Sequence, residues 1–86
     1  MLERYPIYTF IEERCESIGI GRSEVARRCN FENVSKGLQR FNALCGGDVG
    51  SPGMRMILDT LPAALEVDAS ELERVVMETA NIIART

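Results

Sequence analysis

The stretch Asn33-Val34-Ser35-Lys36-Gly37-Leu38-Gln39-Arg40-Phe41-Asn42-Ala43-Leu44-Cys45 reads as a helix with two unlike faces. Val34, Leu38, Phe41 and Cys45 step by four, three and four, the spacing of one helical stripe. With Ser35 set at zero and about 100° per residue, Gln39 falls near 40°, Lys36 near 100° and Arg40 near 140°. The four apolar residues fall roughly between −60° and −120°, on the other side. Ala43, at about 80°, would not obstruct close approach to the polar side. Asn33 is suited to cap the first turn, and Gly46-Gly47 stop the helix. Gly37 in the interior costs about 1 kcal/mol relative to alanine, which suggests close approach by a neighbouring backbone.

Helical spacing continues on both sides of this stretch, and period-two alternation is sustained nowhere. A first helix starts near Pro6 and presents Ile7, Ile11, Cys15 and Ile18, with Phe10 beside them; Gly19 and Gly21 end it. A second helix runs from about Arg22 to Cys29 with Val25, Ala26 and Cys29 inward, and Asn30 is suited to the left-handed conformation after its last turn. After the loop from Asp48 to Gly53, a fourth helix starts at Gly53 or Met54 and presents Met54, Ile57, Leu58 and Leu61. Pro62 lacks an amide hydrogen and clashes with the preceding turn, so a kink or a restart with Thr60 as cap is expected. A fifth helix opens at Asp68-Ala69-Ser70-Glu71, which has capping-box spacing, and turns Leu72, Val75, Val76, Thr79, Ile82 and Ile83 inward. The expected fold class is therefore all-α, a compact bundle of about five helices.

A chain of 86 residues makes one helical domain, 1–86, with a modest core. No apolar run approaches the roughly 18–20 residues of a membrane span, and Met1 to Phe10 lacks the apolar core of a secretory signal. The cytoplasm is the expected location, and three unpaired cysteines suit a reducing compartment. Cys15, Cys29 and Cys45 each fall on an apolar helical position, as small buried hydrophobes do. There is no histidine and no Cys-x-x-Cys, so three scattered thiols argue against a zinc site, and no Ser-His or Cys-His nucleophile pair can be assembled. Gly46 to Gly50 lacks the Gly-Lys-Ser/Thr ending of a phosphate loop. No catalytic residue, cofactor or metal is expected, and an enzyme is disfavoured.

The net charge of −3 is unevenly spread. Residues 1–21 hold two basic and four acidic side chains, residues 22–55 six and three, and residues 56–86 two and six. Positive charge thus gathers around the second and third helices. Ser, Lys, Gln and Arg are side chains that reach base edges and phosphates. A polar face opposite an apolar one is also what any surface helix has, and an acidic chain must turn its carboxylates away from a duplex.

The order of elements, two short helices joined tightly and two more after a Gly/Pro loop, resembles the lambda-repressor-like helix-turn-helix domain of the Cro/repressor family. The matching residues are Glu24-Val25-Ala26, Asn30-Phe31, Pro52, Leu58, Leu61, Leu65-Glu66-Val67-Asp68 and Leu72, within Ile18 to Val75. The family has glycine where this chain has Asn30, and apolar residues where it has Lys36 and Gln39. A turn about two residues longer would bring Leu38 and Phe41 into those slots. The resemblance implies a helix-turn-helix over about 22–45, with the third helix in the major groove and the second touching the backbone. Arg22 and Ser23 would then hold phosphate, and Asn33, Ser35, Lys36, Gln39 and Arg40 would face bases or flanking phosphates. The expected function is a sequence-specific DNA-binding domain of a transcriptional regulator with double-stranded DNA as partner. A homodimer contact through the fifth helix, at Met77 and Ile82-Ile83, is a further expectation. The alternative is a small helical interaction module, antitoxin-like or without DNA binding, acting through homo- or hetero-association.

Overall fold

Proline has no amide hydrogen to lose, so Pro6 opens the first helix at no hydrogen-bonding cost. In the computed structural model, which describes residues 4–29 and 31–85, that helix is α1 (Pro6–Ile18). It is followed by α2 (Arg22–Arg28), α3 (Val34–Cys45), α4 (Met54–Leu65) and α5 (Ala69–Arg85). The protein is all-helical, and no strand occurs among the described residues. Its radius of gyration, 12.1 Å, matches the roughly 12 Å of a compact globule of this length.

The helices end where the backbone needs them to. Gly19, with φ 71°, takes the left-handed conformation, and the amide of Ile20 donates to the carbonyl of Cys15 at 3.0 Å. Gly47, with φ 105°, is tied by a second constraint: a Cβ there would lie 2.7 Å from the Tyr5 ring and 3.2 Å from Ile83. Asn30 and the helix-end role read for it lie outside the described residues.

α1 packs on α3, α4 and α5, while α2 packs on α3 and α4, and α3 and α4 pack on each other. Ile7, Ile11, Val25, Phe41, Leu44, Ile57, Leu61 and Leu65 are almost wholly excluded from solvent. α5 is anchored to the start of α1 by one polar pair. The Ile7 amide, left over at the helix start, donates to the Thr79 hydroxyl at 3.1 Å, and that hydroxyl donates to the Val75 carbonyl at 3.0 Å. Thr79 is the one buried polar residue among those described, and both its hydrogen-bonding roles are filled.

Five expectations are corrected. The buried face of α3 is Gly37, Phe41, Leu44 and Cys45, whereas Val34 and Leu38 are only half-buried. Thus Leu38 does not fill the inward slot, because Gly37 does. A Cβ on Gly37 would meet Phe31 at 2.9 Å and the Ala26 side chain at 3.0 Å, so the crowding comes from side chains and not from a backbone. α4 runs unbroken through Pro62 to Leu65, with no restart at Thr60. A mid-helix proline costs about 3 kcal/mol, whereas burying Leu61 and Leu65 gains roughly 1.5–3 kcal/mol each. At α5 the Glu71 amide bonds the Asp68 carbonyl at 3.1 Å, not its side chain. Finally, Ile82 and Ile83 are each 38% exposed, so the inner stripe of α5 closes at Thr79.

Candidate nucleic-acid interface

α3 owes its start to Asn33, whose side-chain oxygen accepts the Lys36 amide at 3.2 Å. With Gly37, Phe41 and Leu44 held against the core, Ser35, Lys36, Gln39 and Arg40 share one exposed face, joined by Asn42 and Ala43. The four residues read from the sequence as a polar set are therefore together. Asn33 stands at the head of the same helix, with its side chain engaged as the cap.

Arg22 takes a different role from the one the resemblance implies. Its guanidinium donates to Glu12 at 2.7 Å and to Asn42 at 2.5 Å. It also lies 5.7 Å from the Tyr8 ring centroid and 5.8 Å from that of Phe41. It therefore joins α1, α2 and α3 at the border of the polar face. The hydrogen bond to Glu12 raises its pKa, outweighing partial desolvation. Glu12 is half-buried and is the partner that holds it. Ser23 is exposed in the first turn of α2.

The other basic groups divide in the same way. Arg27 pairs with Glu24, and Arg28 pairs with Glu24 and Glu66, each at 3.2 Å. Arg28 also donates to the Ala64 carbonyl at 3.1 Å, while Arg14 donates to the carbonyls of Leu65 and Glu66 at 2.8 and 2.9 Å. These two arginines cap the negative end of α4, where Glu66 holds the left-handed φ of 58° and Val67 donates back to Pro62. Among the described residues Lys36, Arg40 and Arg55 have no acidic partner. Arg40 instead lies along the start of α4 and donates to the Gly53 carbonyl at 3.3 Å.

The sequence reading missed Asn42 as a partner of Arg22, the capping role of Arg14 and Arg28, and Leu44 as core. Leu44 could have been found: it lies about 180° from Ser35 on the helical wheel. The arginine caps had no local signal, since their partners are 36 to 52 residues away. All three cysteines are free and buried. Burial pushes the Cys45 thiol up from 9.0 to about 11, against the pull of Arg22. Burial, reinforced by Glu12, likewise raises Cys15. Both thiols are held protonated, which suppresses nucleophilic reactivity. Among the described residues no group of three or more potential ligands is placed to hold a metal ion, and no helix is long and apolar enough to cross a membrane. No protein-family model, curated protein or solved structure matches the chain.

Proposed function

We propose that this chain is a sequence-specific DNA-binding domain of a transcriptional regulator, with α2 and α3 as a helix-turn-helix of the lambda-repressor-like type and α3 presented to the major groove. One observation carries the reading. Ser35, Lys36, Gln39 and Arg40 share an exposed face on which neither cation has a carboxylate partner among the described residues, while the arginines of α2 are all paired with carboxylates. Glutamine matches adenine bidentately, and lysine or arginine donates to guanine or phosphate. Arg55, exposed and without an acidic partner in the first turn of α4, adds a flanking cation. The reading differs from the family pattern at Arg22, whose guanidinium is engaged with Glu12 and Asn42. The phosphate role therefore falls chiefly to Lys36, Arg40 and Arg55.

The test is titration of the protein with a mixed-sequence DNA duplex at low salt, followed by anisotropy. Binding that disappears in Lys36→Glu with Arg40→Glu, in a variant of unchanged helicity, is the expected result. Absence of binding by the unaltered protein, or binding indifferent to this double reversal, refutes the reading.

A further inference from the structure

α4 and α5 leave a groove between them, and of the residues that line it the nucleic-acid reading uses only Arg55, at one end. It is a cleft of about 240 Å³ with Leu58, Pro62, Leu72 and Val76 along its length. Asp59 stands on one wall and Glu73 on the other. Both carboxylates are exposed, and neither has an ion pair or hydrogen bond among the described residues. Among the described residues the two most exposed large apolar side chains are Met56 and Met77, at 67% and 60%. Met56 precedes Asp59 by three residues and Met77 follows Glu73 by four, so each lies beside its carboxylate on the helix surface. Methionine adapts its shape to an incoming apolar surface. The region is also acidic: residues 56–86 hold six acidic and two basic side chains, and Arg74 already pairs with Glu78 at 3.9 Å.

We propose that this groove receives an amphipathic, cationic helical segment of a partner protein. Its apolar stripe seats on Leu58, Pro62, Leu72 and Val76, with Met56 and Met77 closing at the sides. Its lysines or arginines pair with Asp59 and Glu73. Arg55, one turn before Asp59, repels a further cation at that end and so sets the direction in which the segment lies. A second copy of this chain fits less well. A two-fold contact through the groove offers one cation, Arg55, to two carboxylates, Asp59 and Glu73, from each copy, and so leaves surplus negative charge in the contact. The cationic face of α3 brings no apolar stripe to fill the floor, since its exposed residues are Ser35, Lys36, Gln39, Arg40, Asn42 and Ala43.

The test uses the full chain, isotopically labelled, and two synthetic helical peptides with one leucine stripe in common. One has lysines and the other glutamates on the polar face. The lysine peptide is expected to shift the backbone amide resonances of residues 55–61, 63 and 69–77, and the glutamate peptide to leave them in place. Asp59→Lys with Glu73→Lys is expected to weaken the lysine peptide by roughly tenfold and to admit the glutamate peptide, with unchanged helicity. Equal binding of both peptides, binding of neither, or shifts confined to other helices overturns the proposal. So does sedimentation showing a dimer that the same double variant dissociates. Peptide titration of Lys36→Glu with Arg40→Glu separates the two surfaces, because the lysine peptide still binds this variant without loss of affinity when duplex binding is gone.

Discussion

The basic side chains of α2 and those of α3 and early α4 lie within one third of the chain but behave differently. Arg22, Arg27 and Arg28 each meet a carboxylate, and Arg22 and Arg28 also bind side-chain or carbonyl oxygens of other helices. Among the described residues Lys36, Arg40 and Arg55 meet none. The comparison teaches that a local excess of positive charge does not locate a binding surface. A cation already held by carboxylates has little left to offer a phosphate, while an unpaired one can release counterions when it binds.

The largest effect that could break this contrast is on DNA. Lys36→Glu with Arg40→Glu is expected to lower duplex affinity at least 100-fold at low salt, about 3 kcal/mol, while the thermal midpoint moves little. The corresponding double alanine variant is expected to flatten the slope of log affinity against log salt by about two, and an unchanged slope would show that neither side chain reaches phosphate. Next comes the seat that aims α3. Gly37→Val drives side-chain atoms into Phe31 and Ala26 and is expected to destabilise the fold by about 2 kcal/mol in urea titration. Arg22→Ala is expected to remove about 1 kcal/mol by freeing Glu12 and Asn42, whereas Lys36→Ala leaves stability within about 0.5 kcal/mol. If both variants unfold alike, the division into paired and unpaired cations fails.

The smallest effect is electrostatic. Cys45 has its folded pKa raised to about 11 from 9.0, so the folded state keeps a proton that the unfolded chain loses first. The stability this contributes is fully present below pH 9 and is lost as the pH climbs toward 11. Arg22 partly offsets the shift, so Arg22→Ala is expected to move the onset of Cys45 alkylation to still higher pH, and Arg40→Ala to leave it in place. Alkylation rates of the native protein against pH, with peptide mapping to identify the modified thiol, measure this directly.

Much of this was legible in the residues, for local reasons. Pro6, Gly19, Asn33, Gly46 and Met54 stand at or next to the helix boundaries read from them, because caps and stops act through the backbone within a turn. The burial of Val25, Ala26 and Cys29, and the common exposure of Ser35, Lys36, Gln39 and Arg40, followed from spacing alone. At Pro62 the helix runs on instead of restarting at Thr60, because the proline's local cost is outweighed by the burial of Leu61 and Leu65 against other helices. Leu38 misled because a leucine looks more like core than a glycine does. The contact at Gly37 is set by Ala26 and Phe31, and the tight fit leaves no room for a side chain.

What the sequence by itself determined is the number of helices, most of their ends and the two-faced character of α3, since these depend on interactions spanning at most a few residues. Only the tertiary structure decided which cations are engaged. Arg22 meets Glu12, and Arg14 and Arg28 meet the end of α4, across separations of 10 to 52 residues. A charge count records that these groups exist. Whether a charge is neutralised depends on distances of about 3 Å, and those are set by how the helices cross.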